Sequence, residues 1–220
     1  MQRFSARTAA SRLQSTSFRD IRDSDTSSSR KRSAARLLQW QIFWTKEEIV
    51  KTFLLLVGAS GSGKTTVANK LCRKYGLKQI DSYTTRPPRY CGEGGHTFVT
   101  DEEFDQLTDL VGYTNYNGNR YGATAAQAEA HDVYVIDPAG VDFFRQAYHG
   151  SKKVVVAELI VNEEKRRERM LIRGDGHCAV EQRIQLDAKI FPIKDADIYL
   201  TNVDSTRTAD VLYQYLIEQE

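Results

Sequence analysis

The sequence predicts a three-layer α/β fold in which a parallel sheet is covered by helices on both faces. Two observations predict it. Short apolar runs alternate with amphipathic stretches of helical period from residue 53 onward, and a glycine-rich turn joins the first run to the first stretch. Strands separated by helices of about 10–15 residues need crossover connections, which pair strands in parallel. No internal repeat is evident.

Taken in order, residues 53–57 form an apolar run of strand length, and a helix is expected from about residue 63 to residue 75. Residues 133–136 and 154–160 are rich in Val and Ile and read as further strands, each followed by a helical stretch. Residues 163–172 and 179–189 read as charged amphipathic helices. A short strand at 198–200 and a helix over about 206–217 follow. Between residues 97 and 121, short strand-like pieces and turn residues predict a small insertion.

Two domains of composition are expected: an extension over residues 1–50 and a folded unit over 51–220. Residues 1–36 carry nine basic and three acidic side chains, many serines and few large apolar residues. Such a stretch buries too little surface to offset its ordering entropy and is expected to be disordered. Arg3, Arg7, Arg12 and Arg19 with intervening serines also suit a targeting segment, although Asp20, Asp23 and Asp25 follow at once; a dispensable extension is the favoured reading. Residues 37–50 hold two tryptophans and suit either a short lead-in helix or more of the extension.

The net charge of +2 hides this asymmetry, because the basic excess belongs to the extension and gives the folded unit no nucleic-acid footprint. No apolar run reaches the roughly 18 residues that a membrane span needs. Cys72, Cys91 and Cys178 are odd in number and far apart, which argues against a disulfide framework and for a reducing, cytoplasmic location. His177 and Cys178 have no second ligand pair at metal spacing.

The chemistry begins at Gly58-Ala59-Ser60-Gly61-Ser62-Gly63-Lys64-Thr65, a complete G-x-x-x-x-G-K-[ST] phosphate loop between a predicted strand and a predicted helix. Glycines let successive backbone N–H groups turn toward an anion, and the helix N-terminus adds partial positive charge. In such a P-loop, Lys64 reaches the β- and γ-phosphates of ATP and the Thr65 hydroxyl ligates Mg²⁺, with Thr66 beside it. Asp137 ends a predicted strand at the sheet rim, where ligands bind in open α/β folds; it is expected either to serve the site or to cap the next helix. Arg86 and Arg89, held by Pro87 and Pro88, are spaced for bidentate capture of a second phosphate.

The segments Tyr83-Thr84-Thr85-Arg86-Pro87-Pro88-Arg89, Gly92-Glu93, Phe98-Val99 and Gly118-Asn119-Arg120-Tyr121-Gly122 resemble guanylate kinase in order and spacing. With the phosphate loop, the resemblance covers about residues 53–220. It implies a P-loop NTPase fold with an acceptor-binding insertion and an Arg-rich lid. It implies that Arg86, Arg89 and Tyr121 grip the acceptor phosphate, and that Arg169, Arg173 and Arg183 close over the triphosphate. It places Asn202 near adenine and Asp137 near the acceptor base.

The sequence also departs from the family. Gly112 stands where the family carries a guanine-reading glutamate. Ala123 and Tyr83 replace serines, and His96 replaces a phosphate-binding tyrosine in a shorter loop. His96 is expected to act either as a phosphate ligand or as an exposed loop residue. Phosphate gripping is therefore expected with guanine reading weakened, since buried hydrogen-bond partners supply the large specificity factors.

The expected activity is ATP- and Mg²⁺-dependent transfer of the γ-phosphoryl group to a nucleoside monophosphate, GMP or dGMP first, by a monomer or homodimer without nucleic-acid or membrane partners. The rivals are a ribose-bisphosphate-type sugar phosphate kinase, which has no base to read, and a non-catalytic guanylate-kinase-like interaction module. The last normally carries a degraded phosphate loop.

Overall fold

A computed structural model describes residues 52–88, 91–116 and 118–219. The expectations for residues 1–50, and for Arg89, lie outside the described residues.

Strand β1 (Thr52–Val57) is buried along its whole length. It pairs in parallel with β6 (Val133–Val135) on one side and β7 (Lys153–Ile160) on the other. β7 pairs in parallel with β8 (Ile198–Thr201), giving the order β6-β1-β7-β8. Gln79 adds a parallel bridge to Val133. A central strand with both faces covered reads as a continuous apolar run, which is why residues 53–57 show no alternation.

The two faces of β1 feed two cores. Leu54 and Leu56 pack with Val67, Ala68 and Leu71 of helix α1 (Lys64–Tyr75) and with Leu212 of α7 (Ser205–Ile217). Phe53, Leu55 and Val57 pack on the other face with Val141 and Phe144 of α4 (Pro138–Ala147). The Phe53 and Phe144 rings stack at 5.2 Å. At the far end of α1, Tyr75 stacks on Tyr213 and donates a hydrogen bond to Asp210, which also pairs with Lys74.

The insertion is a second sheet, wider than the sequence predicts. It contains β2 (Ser82–Thr84), β3 (His96–Phe98), β4 (Leu110–Tyr116) and β5 (Asn119–Thr124), in the order β3-β2-β5-β4. β2 and β3 are parallel, whereas β5 runs antiparallel to β2 and to β4. Helices α2 (Asp101–Asp105) and α3 (Ala125–Ala130) each begin with a reciprocal capping box, Thr100 with Glu103 and Thr124 with Gln127. β4 lies against α4, which ties the second sheet to the first.

Helices α5 (Glu163–Ile172) and α6 (His177–Ile190) form a hairpin with its own small core of Met170, Val180 and Ile184. Among the described residues, no helix is long and apolar enough to cross a membrane.

Candidate active site

The chain leaves β1 at Val57 and enters α1 at Lys64 through the glycine-rich loop. Three glycines there have positive φ: Gly58 at 152°, Gly61 at 76° and Gly63 at 91°. Space is as restrictive as conformation. A Cβ on Gly61 would fall 2.7 Å from the Arg166 carbonyl oxygen, and one on Gly63 would fall 2.6 Å from the Asn202 amide nitrogen. The loop is thus pressed against α5 on one side and the end of β8 on the other.

Lys64 folds over the loop, and its ammonium donates to the carbonyl oxygens of Gly58 at 2.6 Å and Ala59 at 3.3 Å. Burial pushes its pKa down to about 8. The Asp187 carboxylate opposes that shift, the cations Arg173 and Arg166 add to it, and Asp137 opposes it weakly. An ammonium held at low pKa among polar groups gains most when a polyanion arrives. Thr65 and Thr66 are exposed in the first turn of α1.

Side chains from distant parts of the chain brace the loop. Arg169 donates to the carbonyl oxygens of Gly61, Ser62 and Asn202 at 3.2–3.4 Å, so it supports the loop through its carbonyls. Asn202 braces the loop as well. Its side chain is 2% exposed, donates to the Ser62 carbonyl oxygen at 2.7 Å and accepts from the Thr208 hydroxyl at 3.0 Å. An amide buried and engaged at both ends is a brace.

Arg173 and Arg183 converge, but on Asp175. Arg173 forms a two-pronged ion pair with that carboxylate, and Arg183 approaches it at 3.5 Å. Arg173 lies close enough to Lys64 for its charge to be felt there.

In the second sheet, just after β2, Arg86 is held by Glu93. Its terminal nitrogens donate to the two carboxylate oxygens at 3.2 and 2.8 Å, with the side chains only 11% and 7% exposed. The Glu93 hydrogen bonds raise the Arg86 pKa further above its ordinary value. The guanidinium also lies over the Phe98 ring, and its Nε is buried with no hydrogen-bond partner. His96 is a strand residue rather than an exposed loop residue. Its Nδ1 is 2.9 Å from the Ser82 hydroxyl, and its ring meets those of Phe98 and Tyr121 edge-on.

Tyr134 joins this wall. Burial raises its phenol far above the ordinary range, the Asp137 charge adds to that shift, and an interaction with Ser82 opposes it. A Cβ on Gly112 would fall 2.7 Å from Tyr134 Cε1 and 3.2 Å from its hydroxyl. The ring therefore occupies the space from which a larger side chain at position 112 would have to emerge. The Asp137 charge acts on both Lys64 and Tyr134. Asp137 also caps α4, accepting from the Gly140 N–H at 2.7 Å.

Sequence reasoning assigned no individual role to Asp187, Arg166, Tyr134 or Glu93. One signal was available. Val180, Ile184 and Asp187 are the buried positions of α6, so an acid sits on a stripe that is otherwise apolar. Arg166 and Met170 repeat that pattern on α5.

The sequence model of the guanylate kinase family matches residues 50–139, which takes in the phosphate loop and the second sheet but not α5 and α6. A guanylate kinase from Anaplasma phagocytophilum superposes with a TM-score of 0.52 at 23% identity, covering 76% of this chain and 86% of that one. A gluconokinase from Sinorhizobium meliloti 1021 superposes with a TM-score of 0.47 at 17% identity, covering 77% of this chain and 95% of that one. No curated protein matches the sequence.

Proposed function

From the premise that the chain is a guanylate kinase-like P-loop fold, we propose that it transfers the γ-phosphoryl group of ATP to a nucleoside monophosphate. The observation that carries this reading is the complete phosphate loop between β1 and α1, with Lys64 at its mouth.

Phosphoryl transfer asks a protein chiefly for positioning and for compensation of the charge that moves. The amides of residues 61–65 and the N-terminus of α1 cradle the β-phosphate. The Lys64 ammonium leaves the Gly58 and Ala59 carbonyl oxygens for the β- and γ-phosphates. Arg173 and Arg183 leave Asp175 to neutralise the equatorial oxygens of the γ-phosphoryl group, while Arg169 holds the loop. On the other side, Arg86, Tyr121 and His96 hold the acceptor phosphate, with Arg89 as a second fork. Asp137 orients the acceptor between the two.

Mg²⁺ fits the donor set. This cation takes one or two protein oxygens plus phosphates and waters, and Thr65 offers an exposed hydroxyl at the first turn of α1. When bound there, it would supply charge compensation between the β- and γ-phosphates.

GMP and dGMP are the first acceptors to test. The Tyr134 ring beneath Gly112 favours a second reading, in which the acceptor is a different nucleotide or a sugar phosphate such as a ribose bisphosphate. A panel of nucleoside monophosphates and ribose phosphates, scored by coupled ADP release, tests both. Turnover of ribose phosphates alone would replace the nucleotide reading. An absence of Mg-ATP binding in a calorimeter would favour the non-catalytic interaction module, against which the intact Lys64, Thr65, Arg173 and Arg183 weigh.

A further inference from the structure

An acid at the tip of an anion-binding loop is electrostatically out of place, and Asp187 is one. Its Oδ2 accepts from the Ser60 backbone N–H at 2.8 Å and from Arg166 Nη1 at 2.9 Å. Its Oδ1 lies 3.5 Å from the Ser60 hydroxyl, and Arg166 Nη1 also reaches the Ser60 carbonyl oxygen at 3.4 Å. The two side chains are 10% and 11% exposed. Next to them, the backbone of Arg166 comes so close to Gly61 that no side chain fits between.

Two roles suit a carboxylate in that place. It could be an anion placeholder that the triphosphate displaces, or a fixed strut that shapes the loop for the triphosphate. Burial decides between them. Separating a buried, hydrogen-bonded ion pair strands one charge in a poorly solvated place, which makes displacement costly.

We propose that Asp187 is a positioning residue for the triphosphate: paired with Arg166, it fixes the Ser60 amide and thereby the tip of the phosphate loop against helices α5 and α6. This rests on the reading that the loop binds ATP. Asp187 stays in place when nucleotide binds, and its charge is balanced by Arg166 throughout. Its effect falls on the donor side of the reaction and leaves acceptor binding alone.

The test compares wild type, Asp187→Asn, and the paired apolar variant Arg166→Met/Asp187→Leu in full-length protein. Melting temperature and Mg-ATP affinity by calorimetry are measured for each. Asp187→Asn is expected to lower both, with Mg-ATP affinity down about tenfold or more, the scale of losing one charge-assisted hydrogen bond. The apolar pair is expected to recover much of the melting temperature, because no buried charge remains unpaired. It is not expected to recover Mg-ATP affinity, because Leu offers the Ser60 N–H no acceptor at all.

Recovery of affinity in step with melting temperature would overturn the proposal by making the pair a structural contact alone. Tighter Mg-ATP binding by Asp187→Asn would also overturn it, since a placeholder repels the ligand and a strut does not. Wild type that fails to bind Mg-ATP removes the ATP reading itself and this proposal with it, a result distinct from the other two.

Discussion

The ring of Tyr134 fills the space over Gly112, with Cε1 only 2.7 Å from where a Cβ at that position would stand. Both residues are buried, and the phenol belongs to the core packed on Phe53 and Leu55. Gly112→Glu therefore overpacks a filled site and is expected to lower stability by about 1–3 kcal/mol. It should confer no preference for GMP by itself. Combining it with Tyr134→Leu opens the space and should restore part of the loss. Urea denaturation and a GMP-against-panel assay read the two effects; a lone Gly112→Glu that gained GMP selectivity at full stability would contradict the packing argument.

Lys64 makes binding sensitive to alkaline pH. Its pKa of about 8 lies below the ordinary lysine value of 10.5, so the folded protein releases this proton earlier than the unfolded chain. The sign follows from linkage: between those values the unfolded chain binds more protons, so this group's contribution to stability rises with pH. Ligand binding responds the opposite way. Mg-ATP affinity should fall as pH rises through about 8, approaching roughly tenfold per pH unit once the ammonium must be regained on binding. Calorimetry from pH 7 to 9.5 measures it. Lys64→Ala should abolish turnover and flatten the dependence.

Arg86→Ala should weaken the acceptor and spare ATP. It also removes the guanidinium paired with Glu93, whose side chain is 7% exposed, and breaking such a pair from one side costs about 3–5 kcal/mol. The double variant Arg86→Ala/Glu93→Ala should regain stability without regaining acceptor affinity. Thermal melts paired with the acceptor KM separate the two roles; loss of ATP affinity instead would move Arg86 out of the acceptor site.

Arg173 is half exposed, and its partner Asp175 lies two residues on, so its removal should hardly affect folding. If it closes on the γ-phosphoryl group, Arg173→Ala should reduce kcat by about a hundredfold or more. ATP affinity at equilibrium should change far less. Single-turnover rates beside equilibrium binding decide this.

The parts legible in the sequence were those whose signals are local. The phosphate loop announces itself because glycine, lysine and threonine are all needed within eight positions, and β1 because a strand buried on both faces must be apolar throughout. The α5–α6 hairpin was visible from its charge pattern to within two residues at each end. The second sheet was seen only in part, since β2 and β3 are three residues each, too short for a period to emerge. What could not be read were partnerships across the chain. Ser60 and Asp187 are 127 residues apart, and the pairing of Arg86 with Glu93 depends on how the loop after β2 returns into β3. Nor do the sequence neighbours of Asn202 disclose that its amide is turned inward onto Ser62 and Thr208.

The bracing of Gly63 and Ser62 by Asn202 bears on how the molecule is made. The loop is synthesised early, but the amide that supports it follows 140 residues later, along with the α7 helix that packs on α1. A nascent chain halted before residue 202 would own every phosphate-binding residue and still lack the backing that fixes their shape. Nucleotide capture should therefore arise late on the ribosome, almost together with the last helix, and ATP should be unable to chaperone the emerging chain.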